Sequence, residues 1–232
     1  MLKFISKELI WEAQNDGASK LIDSKISYQL KTAQDLAIVS QLRSSKDKRI
    51  AEIGGGDSRV LNFLANNNKC SNIEKFEGKH IGPSGEINLH GVENIPAYIG
   101  DFDPALKNSV FDILFSISVV EHIVTDDLDN FFDDSLRILR TGGIFIHAID
   151  LYLGNEADTY HQTRLCNYRA WVQDNAMVSP LAEIYQGDAV FSTQMATNPD
   201  NILYGWNTLV PDLAHLRSKS QSVSLLVAGV KN

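Results

Sequence analysis

Residues 49–65 read RIAEIGGGDSRVLNFLA. The apolar run ending at Ile53 predicts a buried strand, and Val60, Leu61 and Leu64 recur after it at helical spacing. Gly54, Gly55 and Gly56 fill the turn between them, where the lack of a Cβ lets backbone come close to a ligand. Two phosphate-binding readings of this turn fail on its residues. The dinucleotide fingerprint needs a third Gly or Ala where Arg59 stands. The triphosphate loop needs Gly-Lys-Ser/Thr, and no lysine follows these glycines. What remains is Glu52, two positions before the first glycine. A carboxylate at the end of this strand repels phosphate and suits a ligand that carries an ammonium group.

Outward from this turn, strands alternate with helices. NIEKFE (72–77) reads as a second strand, IPAYIG (95–100) as a third, and FDILFSISVV (111–120) as a fourth. The last is almost continuously apolar, as a central parallel strand covered on both faces should be. TDDLDNFFDDSLRILR (125–140) reads as a helix with Thr125 as N-cap, and its acids Asp126, Asp127, Asp129, Asp133 and Asp134 as a solvated face. TGGIFIHAID (141–150) reads as a turn and fifth strand, and SVSLLVAGVKN (222–232) as the last. The implied fold class is α/β, a Rossmann-like doubly wound, mostly parallel sheet with an antiparallel last strand. Residues 1–47 look helical and read as an N-terminal cap over the site, with a homodimer contact as its other role. Residues 48–232 read as the main domain, in which 152–210 form a substrate-side insertion. In residues 78–94, GKHIGPSGEINLHGVEN, the glycines and Pro83 break helical continuity, so a loop or a very short helix is expected.

Composition narrows the partners. The 232 residues carry a formal charge of −8, which argues against nucleic acid, since phosphate neutralisation needs a basic face. No apolar run is long enough to span a membrane, and the N-terminus meets charge too early for a signal peptide. Cys70 and Cys166 form no metal pattern. The reading is a cytoplasmic protein with no membrane partner and no metal site.

The Glu52-Ile-Gly-Gly-Gly-Asp-Ser58 arrangement resembles motif I of class I S-adenosylmethionine-dependent methyltransferases of the small-molecule, type 11-like kind, with Ser58 in place of the last glycine. The resemblance runs from about Arg49 to Asp150. It implies S-adenosylmethionine as cofactor, held by Glu52, Gly54, Gly55 and Gly56, with Ser116 of the fourth strand counted beside them. It also implies an acid at the end of the second strand for the ribose hydroxyls. Glu77 is the choice and Glu74, within the predicted strand, the competitor. GDFD (100–103) resembles the segment whose acid meets the adenine amino group, giving Asp101 that role and Phe102 a place against the ring. FDILFSISVVEHI (111–123) resembles the family's fourth strand and its Glu-His pair.

The resemblance implies an enzyme that moves a methyl group from a sulfonium onto an acceptor. Positioning and exclusion of water dominate such a displacement, and a hydroxyl acceptor also needs a base. His122 is the catalytic candidate. Packing beside the cofactor is its structural alternative. His147 and Asp150 end the fifth strand and could face the same crevice. In DTYHQTRLCNYRAW (158–171), Tyr160, His161, Arg164 and Arg169 form a candidate substrate-recognition cluster. The expected acceptor is a small molecule or saccharide methylated at a hydroxyl. The alternatives are a small-molecule N-methyltransferase and a non-catalytic S-adenosylmethionine-binding protein of the same fold.

Overall fold

The structure is a computed structural model and describes residues 1–22, 30–78, 82–197 and 219–232. In chain order its elements are β1 (Leu2–Phe4), α1 (Lys7–Asn15), α2 (Ala18–Leu21), α3 (Leu30–Leu42), β2 (Arg49–Ile53), α4 (Arg59–Leu64), β3 (Lys69–Ile73), β4 (Val92–Ile95) and β5 (Phe111–Ile117). Then follow two short 3₁₀ turns, Val120–His122 and Thr125–Asp127, and α5 (Leu128–Ile138), β6 (Leu139–Leu153), α6 (Thr159–Gln173), β7 (Val178–Pro180) and β8 (Gln221–Lys231). One sheet runs β1-β8-β6-β5-β2-β3-β4, with β7 also on β8. Strands β2 to β6 are parallel, and β8 is antiparallel to β6, β1 and β7.

Alternation along the strands divides the core in two. Ile50, Ile113, Phe115, Ile146 and Leu226 pack under α1, α3 and α4, with Leu36, Ile38 and Leu61 as their partners. Ala51, Leu114, Phe145, Ile149 and Leu225 face the other way, onto Phe131, Phe132 and Leu136 of α5 and Leu165 and Tyr168 of α6. Both faces of the central strands are therefore dry, which accounts for the apolar run in β5.

Four sequence expectations are corrected. The N-terminal segment is not wholly helical, because Leu2, Lys3 and Phe4 pair with Val227, Leu226 and Leu225. The second strand ends at Ile73, not Glu77, since it is set by its register with β2, where Ile53 lies beside Ile73. Beyond it Glu74 Oε1 accepts the Phe76 N–H at 3.0 Å, and Phe76 turns into left-handed backbone at φ +58°, which no strand continues through. The third strand is Val92–Ile95 and stops before Pro96, which has no N–H to offer a neighbour. Finally, Thr125 opens a 3₁₀ turn, and the N-cap of α5 is Asp127. The glycine-rich stretch between β3 and β4 has no helix among its described residues. Of the 152–210 segment, residues 198–210 lie outside the described residues; within the rest, α6 buries Leu165, Tyr168, Trp171 and Val172 against the sheet.

Candidate active site

The carboxyl ends of β2, β3, β5 and β6 open into a cavity of about 1630 Å³. Its wall begins at the glycine bend. Gly54 and Gly56 hold φ +66° and +50°, and both they and Gly55 line the cavity. The bend is braced from β3: Asn72 Oδ1 accepts the Gly55 N–H at 3.1 Å, and Asn72 Nδ2 donates to Gly56 O at 3.4 Å. A Cβ on Gly54 would stand 2.7 Å from Val119 Cγ2, so the bend packs directly on the residue after β5. A Cβ on Gly56 would meet only Pro83, at 3.7 Å, so that position looks into the opening.

Glu52 does not line the cavity. It lies 2% exposed beneath the bend, close enough that a Cβ on Gly55 would touch its Cδ at 3.0 Å. Burial pushes its carboxyl up to about 8, a rise that a hydrogen bond with Ser58 moderates. Its Oε2 has no hydrogen-bond partner among the described residues. Ser58 also caps α4, accepting the Leu61 N–H at 3.0 Å, so the one departure from the glycine pattern supplies a cap and a partner for the acid below. Asp57, between the bend and Ser58, lines the cavity.

Further along the rim stand Glu74, Glu77 and Asp101. Glu74 follows the strand end directly, while Glu77 sits three residues on and accepts the Tyr98 hydroxyl at 3.2 Å. The Asp101 loop is fixed from behind by Asp134, whose Oδ2 accepts the N–H groups of Gly100 at 2.7 Å and Phe102 at 3.1 Å. Asp134 is fully buried and paired with Arg137 at 2.7 Å, which corrects its reading as part of a solvated face. Phe102 is 47% exposed and is not part of the cavity wall.

The family model for the methyltransferase domain matches residues 51–147. Residues 51–147 carry a methyltransferase domain. Among solved structures it is similar to geranyl diphosphate C-methyltransferase from Streptomyces coelicolor, with a TM-score of 0.54, 13% identity, and 88% of this chain and 80% of that one covered. YcgJ from Bacillus subtilis matches with a TM-score of 0.56 and 12% identity over 86% of this chain and 98% of that one. Phosphoethanolamine N-methyltransferase 2 from Haemonchus contortus matches with a TM-score of 0.52 and 15% identity over 85% of this chain and 52% of that one. At these identities the likenesses give the fold. No curated protein matches the sequence significantly.

The methyltransferase domain's cofactor fits the residues of this chain. The bend leaves open space at Gly56 and the rim carries acids, as a cationic amino-acid nucleoside needs. In the described residues, no helix is long and apolar enough to cross a membrane.

Several predicted residues of the methyltransferase fall elsewhere. Ser116 and His147 are neighbours in the β5–β6 register, and both point into the α5–α6 face. Ser116 Oγ and His147 Nδ1 are 2.9 Å apart. The imidazole is enclosed by Phe131, Phe132, Phe145 and Trp171, and burial drives its pKa down to about 3. It is a neutral core histidine, neither cofactor nor substrate contact. Arg169 donates to the carbonyls of Tyr185 and Gly187 and ties α6 to that loop. Arg164 borders the cavity but is 1% exposed. It donates to Ile123 O and Val120 O, each at 2.6 Å, and to the Tyr168 hydroxyl at 2.8 Å. Both arginines are spent on the protein's own oxygens.

His122, Tyr160 and His161 do line the cavity. His161 Nε2 accepts the Tyr152 N–H at 3.3 Å, so its proton sits on Nδ1, 2.7 Å from Asp158. His122 Nε2 lies 3.9 Å from Glu121 Oε1.

Glu121 and Asp150 are the acids that sequence reasoning undervalued. Burial raises Asp150 to about 6, against the hydrogen bonds of Gln34 and Ser118. Glu121 is raised well above its ordinary value, first by burial and then by repulsion from Asp150. Gln34 of α3 reaches in to donate to Asp150 Oδ1 at 2.5 Å and to accept from Ser118 at 2.9 Å. A glutamine on an apolar helix face, in register with Leu30, Ala37 and Ile38, was the available signal.

Proposed function

We propose that the chain transfers a methyl group from S-adenosylmethionine to a hydroxyl of a small molecule or saccharide. The observation that carries this reading is the cavity. At about 1630 Å³ it exceeds the few hundred to ~1,000 Å³ of a single-ligand pocket, so cofactor and acceptor fit together. Its lining includes Asp57, Glu77, Asp101, Glu121, Asp127, Asp150, Glu156 and Asp158. Lys31, Lys75 and Lys219 line it as well, but the acids outnumber them and Arg164 is engaged, so this wall favours neutral polyols over phosphates or carboxylates.

When bound, the cofactor supplies a methyl carbon on a good leaving group. The chain's residues do the rest. The bend at Gly54–Gly56, braced by Asn72, holds the amino-acid end, Asp101 receives the adenine amino group, and the acid after β3 receives the ribose hydroxyls. Glu74 takes that last role better than Glu77, because it stands at the strand's true end. The N-terminal segment acts as a cap, since Leu30, Lys31 and Gln34 reach the cavity. His122, whose Nε2 lies 3.9 Å from Glu121 Oε1, takes the proton of the acceptor hydroxyl.

The acid-rich wall also suits an amine acceptor, so a small-molecule N-methyltransferase is the second reading. Methyl transfer from labelled S-adenosylmethionine to a panel of polyols, phenols and small amines separates the two. His122→Ala should lower turnover on a hydroxyl acceptor by ~10²-fold or more while leaving cofactor affinity nearly unchanged. Methylation of amines alone, unaffected by that change, would reject the hydroxyl reading.

A further inference from the structure

The sheet order divides the cavity. The glycine bend follows β2, and Glu74, Glu77 and Asp101 follow β3 and β4, so the proposed cofactor contacts lie on that side. Strand β6 stands beyond β5 from β2, about 10 Å away at ~4.8 Å per strand. The cavity continues over the end of β6, where Tyr152 of that strand and Tyr160 and His161 of α6 line it. Their rings form a row. The centroids of Tyr152 and His161 are 6.4 Å apart, and those of His161 and Tyr160 are 5.1 Å apart with the planes at 87°. Glu156 and Asp158, in the turn that joins β6 to α6, line the cavity beside them.

The row is fixed from within the protein. His161 Nε2 accepts the Tyr152 N–H at 3.3 Å, and Nδ1 lies 2.7 Å from Asp158 Oδ2. Both imidazole nitrogens are engaged, so this ring acts as a spacer and not as a base. Asp158 Oδ1 accepts the His161 N–H at 3.0 Å, which holds the carboxylate still. Its side chain is nevertheless 49% exposed, and a carboxylate has lone pairs for further donors. The Arg164 guanidinium lies over the Tyr160 ring, 6.0 Å from its centroid, while its N–H groups serve Val120 O, Ile123 O and the Tyr168 hydroxyl. Tyr160 itself is 55% exposed. Single apolar side chains are ordinary on an outer surface, but a fixed aromatic ring in a concave wall beside carboxylates is a ligand-facing surface.

The neighbours of Tyr160 select the ligand. An aromatic face takes flat or C–H-rich surface. The two acids take hydroxyl hydrogens and repel phosphate and carboxylate. Arg164 disfavours an ammonium group on the same ring, because a cation already lies over it. A pyranose satisfies all three conditions, with C–H bonds on a face, hydroxyls around its edge and no charge. We propose that Tyr160 is the stacking platform of the acceptor subsite, and that the acceptor is a saccharide whose pyranose ring lies on it with hydroxyls turned to Glu156 and Asp158. This rests on the methyl-transfer reading above and narrows its acceptor from any neutral hydroxyl compound to a sugar ring. Lys219, whose carbonyl a Cβ on Gly154 would approach to 3.2 Å, also lines the cavity and offers the sugar oxygens a donor.

Saturation-transfer NMR on the full chain loaded with S-adenosylhomocysteine reads the stacking. The probes are the methyl glycosides of glucose, galactose, mannose and rhamnose, with sorbitol as an open-chain polyol and phenol as a flat ring with one hydroxyl. At least one glycoside should take up saturation along the C–H bonds of one ring face, and bind about tenfold or more tightly than sorbitol or phenol, the scale of a tyrosine anchor. Tyr160→Phe should keep this preference. Tyr160→Leu, which has apolar bulk without a flat face, should weaken the glycoside by roughly tenfold. The exposure of Tyr160 lets both variants fold. Glycosides bound no better than sorbitol or phenol, or bound equally well by the Leu variant, overturn the proposal, and calorimetry that still shows S-adenosylmethionine bound leaves the methyl-transfer reading intact. If neither S-adenosylmethionine nor S-adenosylhomocysteine binds, both fall.

Discussion

Asp134, buried in the middle of α5, accepts the backbone N–H of Gly100 at 2.7 Å. Through this bond a helix on one face of the sheet fixes the loop that carries Asp101 to the cavity. The same carboxylate holds Phe102 N–H and Arg137, and Phe102 keeps left-handed backbone at φ +53°. Such a conformation in a bulky residue persists only where its surroundings enforce it. Asp134→Ala should therefore cost about 2–4 kcal/mol, because two backbone donors lose a charged acceptor and a guanidinium loses its partner. Urea unfolding measures that loss. Calorimetry should also show weaker S-adenosylmethionine binding, since the Asp101 loop loosens; unchanged affinity in a destabilised variant would detach Asp101 from the cofactor.

The glycine bend yields a prediction of a different kind. Gly56→Val places a branched side chain where only Pro83 is near, so the folded core is little disturbed. The new methyls instead enter the cavity, and the φ of +50° adds strain for any β-branched residue. Cofactor binding should be lost while the unfolding midpoint drops only modestly. Normal affinity in this variant would remove the cofactor from the bend.

How much of this was legible beforehand follows from what each residue depends on. The bend, the apolar β5 and the antiparallel end of the chain depend on local pattern, and the sequence displays them. The ends of β3 and β4 depend on register with a neighbour, on the left-handed turn at Phe76 and on Pro96, and apolar content alone placed both strands about three residues late. Ser116 and His147 were misassigned because the side of a strand a residue faces is decided by pairing, which turned both toward α5 and α6. Arg164 and Arg169 looked like ligands because nothing local betrays the distant carbonyls they serve. Gln34 and Glu121 became visible as site residues only when α3 and the turn after β5 were brought to one floor.

Arg164 offers a test of that last junction. Its guanidinium holds Val120 O and Ile123 O, and so fixes the turn that presents Glu121 and His122. Arg164→Met keeps much of the bulk but strands both carbonyls, a loss of about 2–4 kcal/mol. Turnover should fall further than cofactor affinity, because the turn carries His122, the proposed base, while the proposed cofactor contacts lie on the bend. Lysine, with one ammonium in place of a two-armed fork, should restore only part of either. Equal effects on turnover and affinity would make Arg164 a general packing residue.

Glu52 and His147 contribute to the pH dependence of stability in opposite directions, beside the raised carboxyls of Asp150 and Glu121. Glu52 keeps its proton up to about 8 when folded, against 4.5 as the ordinary value. Across that span the folded chain binds a proton that the unfolded chain has released, so stability falls as pH rises. His147 does the reverse: it stays neutral down to about 3, against 6.5, so stability falls as pH drops through that window. Each slope is about 1.4 kcal/mol per pH unit where its group titrates alone. Between 4.5 and 6.5 these two contributions oppose each other, while the raised Asp150 and Glu121 add to the loss on the alkaline side, so the acid limb of His147 and the alkaline limb of Glu52 are isolated by removing each group in turn. Urea unfolding across this range should show Glu52→Gln flattening the alkaline limb and His147→Phe flattening the acid one. A Glu52→Gln variant that still loses stability between 6.5 and 8 at the wild-type rate would mean that the acid beneath the bend is ionised in the folded chain.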